Sequence, residues 1–139
     1  MHNAKRVCLF IPVALALLGV LAWGAGDDFL GTWVNPDPNS FGPTKLIIAK
    51  VGSDDYTVEG FASCVPADCE WGIVELHLAG SDIGDDDYRW GLAIWDSLFK
   101  STYLIVHLEC NRLVTVTYSV FGPDDGREDF RTLSLLSKS

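Results

Sequence analysis

The chain has 139 residues, and 19 acidic against 10 basic side chains give a formal net charge of −9. That excess of negative charge excludes nucleic acid as a partner and works against binding to anionic membrane surfaces. The length suits one domain with one core, and no internal repeat or low-complexity linker divides it.

The first element reads as an export signal. Lys5 and Arg6 form a short basic region, Val7 to Leu21 is an apolar run, and small residues follow at Ala22, Gly24 and Ala25. Cleavage after Ala22 and cleavage after Gly24 both satisfy the small-x-small rule. A signal over residues 1–24 leaves a single domain over residues 25–139. The uncharged stretch continues to Gly26, so an uncleaved membrane anchor is the alternative, weakened as a spanning helix by Pro12 and Gly19. No cysteine stands at the cleavage points, which argues against lipid attachment. The expected location is secreted or periplasmic, with membrane contact only through an uncleaved N-terminal segment. Removing residues 1–24 takes away Lys5 and Arg6, leaving 115 residues with 8 basic against 19 acidic side chains, a net charge of −11.

From Phe29 onward, short β-rich runs alternate with turn residues. They predict strands over Leu30–Asn35, Lys45–Val51, Tyr56–Ser63, Ile73–Ala79, Tyr88–Trp95, Thr102–Cys110, Leu113–Phe121 and Phe130–Leu136. Between them, Pro36-Asp37-Pro38-Asn39-Ser40, Gly52-Ser53-Asp54-Asp55 and the stretches 80–87 and 122–129 are turn chemistry. Asn111-Arg112 predicts a tight hairpin. No run has helical spacing. About eight strands in so small a domain predict an all-β fold, a single antiparallel β-barrel, with a β-sandwich as the alternative.

Alternation within the strands sharpens this. In Leu113–Phe121, Val114, Val116, Tyr118 and Val120 oppose Leu113, Thr115, Thr117 and Ser119, the pattern of a strand whose second face is wet. In Tyr88–Trp95, Tyr88, Trp90, Leu92 and Ile94 oppose Arg89, Gly91, Ala93 and Trp95. The odd offset between Trp90 and Trp95 puts the two indoles on opposite faces. Thr44–Val51 is apolar on both faces, which implies a filled or ligand-holding barrel, or a partner subunit outside.

The nine residues Cys64-Val65-Pro66-Ala67-Asp68-Cys69-Glu70-Trp71-Gly72 fit no strand or helix period. In an exported chain the two cysteines close a turn as a disulfide, and for so short a loop its entropic effect is about 2 kcal/mol. It therefore shapes a turn more than it stabilises the fold. Cys8 leaves with the signal. Cys110 is expected to be a free, small buried hydrophobe near a strand end, with intermolecular pairing as the alternative.

Gly31-Thr32-Trp33-Val34-Asn35 resembles the G-x-W opening of the calycin barrels, which include lipocalins and avidins. The resemblance implies that Trp33 packs against a basic side chain near the last strand. Arg131 is the candidate, in a cation–π contact of about 0.5–2 kcal/mol. The longer pattern is Gly-Thr-Trp-Val-Asn, Asp37-Pro38-Asn39, a strand, and then Cys-x-Pro-x-Asp-Cys-Glu-Trp-Gly. It resembles a family of small exported bacterial proteins of uncharacterised function from about Leu30 to Phe130, and Gly126-Arg127-x-x-Phe130 fits too. The chain departs at Val65 and Ala67, where the family pattern is polar. The resemblance implies export and an all-β domain and carries no activity.

Among the candidate sites, Asp68 and Glu70 flank Cys69. Two carboxyls held close split their pKa values, as acid–base catalysis needs, whereas Asp68 in a turn more commonly caps backbone N–H groups. Asp82, Asp85, Asp86 and Asp87 lack the spacing of a calcium loop and read as a solvated acidic loop. No metal and no cofactor is implied. His77 and His107 lie in strands, either as a ligand or base pair if those strands are neighbours, or as isolated barrel histidines. No Ser-His-Asp, Cys-His or phosphate-cradling glycine pattern is present.

The aromatics carry the functional expectation. Trp71, Trp90, Trp95 and Tyr88, with His77 and His107, are the candidate ligand-binding residues; Gly31, Trp33 and Arg131 are structural. An indole at a barrel mouth beside a rigid turn suits a small apolar molecule, a sugar face or a protein partner. The leading expectation is an exported, non-enzymatic β-barrel binding module. The alternatives are a structural or interaction protein of the cell envelope with a filled barrel, and a hydrolase using Asp68 and Glu70 or His77 and His107.

Overall fold

The structure, a computed structural model, describes residues 26–139. The export signal, Cys8 and the alternative anchor lie outside the described residues. Eight strands follow in chain order: β1 (Gly31–Val34), β2 (Pro43–Val51), β3 (Asp55–Ala62), β4 (Cys69–Ala79), β5 (Trp90–Asp96), β6 (Lys100–Glu109), β7 (Arg112–Phe121) and β8 (Phe130–Lys138). Each pairs antiparallel with the next. β8 pairs back onto β1, with Trp33 opposite Lys138 and Val34 opposite Ser137, so the sheet closes into one barrel and not a sandwich. No helix among the described residues is long and apolar enough to cross a membrane.

The barrel has a filled lower end and an upper rim. The lower end carries the short connections 52–54 and 110–111 and the longer 80–89; the rim carries 35–42, 63–68, 97–99 and 122–129. A 3-10 turn, Asp27–Phe29, crosses the lower end and buries Phe29 completely. Trp33 Nε1 donates to the Phe29 carbonyl at 2.8 Å. The Asp27 carboxylate accepts from Lys50 Nζ at 3.1 Å and from the Tyr56 hydroxyl at 2.9 Å, which pins the turn in place. Above it, Leu46, Ile48, Val58, Leu76, Leu104, Val106, Leu113 and Leu136 complete the core.

The cation over Trp33 is Lys138, not Arg131. Its Nζ lies 4.9 Å from the indole and donates to the Asp28 carbonyl at 3.3 Å. Parity explains the substitution. On β8 the even-numbered Thr132, Ser134 and Leu136 turn inward, so Arg131 points outward, opposite Tyr118. Gly31 takes φ 124°, a conformation that favours glycine, and the Lys138 stem packs over it.

Barrel filling also inverts the expected face of β7. An eight-stranded barrel is just wide enough for its own side chains. Phe29, Trp33, Leu46, Tyr56 and Trp95 occupy that space, so small side chains fill the remaining inward positions: Gly91 and Ala93 beside Trp95 on β5, then Thr115, Thr117 and Ser119 on β7. A Cβ on Gly91 would meet Val106 Cγ2 at 2.8 Å. Val114, Val116, Tyr118 and Val120 consequently face outward, the reverse of the wet-face reading. Thr115 Oγ1 reaches the Ser134 carbonyl at 3.5 Å, whereas Thr117 Oγ1 and Thr132 Oγ1 are buried without a hydrogen-bond partner among the described residues.

The hairpin between β6 and β7 turns one residue earlier than expected. Leu108 pairs with Leu113 and Glu109 with Arg112, so the two-residue loop is Cys110-Asn111, with Cys110 at φ 53°. Cys110 is exposed in that turn, and no described cysteine is free, which corrects its assignment as a buried free thiol.

Candidate functional site

The rim is organised by the Cys64–Cys69 disulfide, whose Cα atoms are 5.4 Å apart. Thr44 Oγ1 donates to Asp68 Oδ2 at 2.7 Å and ties the turn to β2. Asp68 thus holds a hydroxyl on a neighbouring segment instead of capping its own turn. Just beyond Cys69, β4 bulges: Gly60 pairs with Gly72 and Phe61 with Glu70, leaving Trp71 as the extra residue. Gly72, at φ 89°, takes the left-handed conformation that the bulge needs.

The bulge lays Trp71 against the core, edge-on to Trp95 with ring centroids 5.2 Å apart and planes at 71°. Trp95 is only 7% exposed, and its Nε1 donates to the Gly72 carbonyl at 2.9 Å. Gly60 lies beneath both rings. A Cβ there would sit 2.5 Å from Trp71 Cε3 and 3.2 Å from Trp95 Cζ2. The staple, the bulge and one bare backbone position together present an indole pair at the barrel mouth.

Between this pair and the β5–β6 connection lies a cleft of about 600 Å³, within the range of small-molecule sites. Trp71, Val74, Trp95 and Phe99 supply its apolar surface; Glu70, Asp96, Lys100 and Arg127 supply its charges. Lys100 lies on the inward alternate of β6, partly buried, with Nζ 5.9 Å from the Trp71 ring. Burial, and next the nearby Arg127, hold its pKa below the ordinary lysine value. Arg127 stacks 4.3 Å from the Phe121 ring and 5.3 Å from Phe99. It grips both Asp125 oxygens, one through Nη2 at 2.8 Å and the other through Nε. That pairing draws the Asp125 carboxyl below its usual range and raises Arg127. Asp96 accepts a hydrogen bond from Ser101 Oγ at 2.6 Å.

No protein-family model, curated protein or solved structure matches the chain.

Of the residues expected to bind ligand, the structure brings Trp71 and Trp95 together at the rim, His77 and Tyr88 together at a lower cleft, and Trp90 and His107 together on the outer face. Trp90 faces outward and stacks on His107, with centroids 4.0 Å apart and planes at 19°. Burial lowers the His107 pKa, opposed by Glu109. His77 is exposed on β4, 3.5 Å from Glu75, and β5 lies between the two histidine strands, so they do not form a pair. Tyr88 borders a smaller lower cleft of about 360 Å³ with Gly26, Asp55, Tyr56 and Leu78. The Tyr56 hydroxyl on its wall is already committed to Asp27, and the lining includes Asp54, Asp55, Glu75 and His77 but no pair of indoles.

In the acidic loop, Asp82 accepts from the Gly84 N–H, and Asp85 from those of Ser81 and Asp87, at 2.8–2.9 Å. These carboxylates shape the loop. Among the described residues no group of three or more His, Cys, Asp or Glu side chains could hold a metal ion.

Sequence reading missed Gly60, Phe99, Lys100 and the role of Arg127. Two signals were available. A glycine inside the third predicted strand marks close approach by another group, and Lys100 has the parity of Thr102, which aims it inward at the rim.

Proposed function

We propose that the protein is an exported, non-enzymatic binding module that holds a small, largely flat ligand in the rim cleft. The observation that carries this reading is the Trp71–Trp95 pair, seated on Gly60 and set by the bulge that follows the stapled turn. A partly exposed indole set edge-on against a buried one leaves an aromatic wall for a ring or an apolar chain. The filled lower half favours the rim over the barrel centre as the site. Export is supported by the disulfide, a bond of oxidising compartments. Membership of the small exported bacterial family, and a kinship with calycin barrels, belong to the same proposal. Their support is the Gly31-Thr32-Trp33 opening under a Lys138 cation and the closure of eight strands.

The test is a fluorescence titration with N-phenyl-1-naphthylamine, a neutral dye that brightens in apolar sites. One-to-one saturable binding is expected. Trp71→Ala should weaken it about tenfold, given an aromatic contact of about 1 kcal/mol or slightly more. No saturable binding, or unchanged binding in Trp71→Ala, would contradict the assignment.

A further inference from the structure

We infer that the rim cleft selects small organic anions, with a flat apolar body on Trp71, Trp95 and Phe99 and a carboxylate, sulfonate or phosphate group on the Lys100 ammonium. This rests on the rim cleft being a binding site. In a chain where acids outnumber bases, a lysine finds a carboxylate partner easily. Among the described residues Lys100 has none: it makes no salt bridge and no side-chain hydrogen bond, and its Nζ lies 5.9 Å from the centre of the Trp71 ring. The other cation of the cleft, Arg127, is neutralised by Asp125. Glu70 is exposed on β4, Asp96 is engaged by Ser101, and neither pairs with Lys100.

A partly buried ammonium without a counter-charge is costly, and a ligand anion removes that cost when it binds. Desolvation by the same aromatic walls strengthens the resulting contact. The depressed Lys100 pKa is consistent with this environment and sets the direction of its pH dependence. As pH rises, Lys100 loses its proton sooner than a lysine at the ordinary 10.5, and anion binding should fall with it.

The experiment compares N-phenyl-1-naphthylamine with 8-anilinonaphthalene-1-sulfonate, which shares its ring system and adds one sulfonate. The sulfonate should bind the purified chain at least about tenfold more tightly, the scale of one charge-assisted contact. Lys100→Met should erase that preference while leaving the neutral dye bound, which also shows that the cleft is intact; Lys100→Gln serves as a second variant. Raising the pH toward 10 should weaken the sulfonate and not the neutral dye. Equal affinity for the two dyes, or a sulfonate preference that survives both variants, overturns the inference and leaves the binding reading standing. If neither dye saturates, both fail.

A different observation carries a second inference. We propose that the outer face of β5–β8 is the interface of a two-fold dimer of this chain. The pairing register sets Trp90, His107, Val114 and Leu135 in one row, and Leu92, Ile105, Val116 and Leu133 in the next. A third row holds Ile94, Tyr103, Tyr118 and Arg131. Nine large apolar side chains on this face, counting Val120 above the rows, are 36 to 61% exposed. At about 200 Å² for a large side chain they present roughly 750 Å², close to the roughly 800 Å² that each partner contributes to a stable interface. Arg131 is the one formal charge in the three rows. That suits a surface meeting its own copy, where any central charge would face its like. The outward alternates of β2–β4 carry Lys45, Glu59 and Glu75, so the apolar band covers one side of the barrel and does not encircle it as in a membrane-spanning barrel.

Sedimentation of the purified chain should give a dimer at tens of micromolar. Ile105→Lys, at the centre of the face, should give a monomer, and Thr57→Lys, on the polar side, should leave the dimer. A wild-type monomer at those concentrations, a dimer that survives Ile105→Lys, or a monomer that floats with neutral phosphatidylcholine vesicles would each overturn the proposal.

Discussion

Replacing Gly60 by alanine tests whether the indole pair depends on the bare backbone beneath it. Gly60 does not have a positive φ, so alanine can adopt its backbone, and the smaller unfolded-state entropy contributes about 0.4–1 kcal/mol in favour of folding. Against this, the new methyl would lie 2.5 Å from Trp71 Cε3 and 3.2 Å from Trp95 Cζ2. Overpacking of that kind costs about 1–3 kcal/mol. Trp95 is held by its hydrogen bond to Gly72, so Trp71, partly exposed on a bulge, must give way. The balance is a loss of about 0.5–2 kcal/mol. At about 4 °C per kcal/mol for a domain of this size, Tm should fall by about 2–8 °C. Thermal unfolding followed by near-ultraviolet circular dichroism reads both the stability and the indole pair, and N-phenyl-1-naphthylamine affinity should fall in parallel. An unchanged or raised Tm with an unchanged aromatic spectrum would mean that the indole pair does not depend on Gly60.

Other outcomes follow from the same structure. Thr117→Val removes a buried hydroxyl that has no partner among the described residues and keeps its shape; unfolding titrations should show stabilisation of about 1 kcal/mol, and a loss of that size would mean the hydroxyl is satisfied. Lys138→Met should cost about 0.5–1 kcal/mol through the lost contact with Trp33, whereas Arg131→Met should stay within about 0.5 kcal/mol, both read by thermal melts. Burial lowers the folded-state pKa of His107, so below pH 6.5 the unfolded chain takes up a proton that the folded barrel resists. Stability should therefore decline as pH falls from 6.5 through the folded-state value, and His107→Gln should flatten that part of the pH profile in urea unfolding. Opening the stapled turn with Cys64→Ser and Cys69→Ser together should cost about 2 kcal/mol, measured by the same unfolding assay, with a larger effect on dye binding than on the fold.

The strands and their closure were legible because turn residues punctuate the chain at nearly every connection and β-branched and aromatic residues fill the intervals. The inward faces were not. Val114, Val116 and Tyr118 look like a core stripe, and Thr115, Thr117 and Ser119 like a wet one. The lumen, however, is filled by Phe29, Trp33 and Tyr56 from distant segments, and only short side chains fit opposite them. Local alternation gives the period of a strand and not the sign of its faces. Arg131 was misassigned for the same reason, since one step in parity separates it from the inward set to which Lys138 belongs. Trp71 was legible through its rigid turn. Lys100 was not, because a lysine at a strand start usually faces solvent; here it is the bulge that brings Trp71 beside it.

Ligand seated on the Trp71–Trp95 pair is read site by site from the indole N–H signals of the nitrogen-15-labelled chain. On titration with 8-anilinonaphthalene-1-sulfonate, the Trp71 and Trp95 signals should shift with one common affinity. Those of Trp33, sealed at the lower end by its bond to Phe29, and of Trp90, stacked outside on His107, should stay in place. Shifts confined to Trp90, or a titration that moves neither Trp71 nor Trp95, would contradict the account.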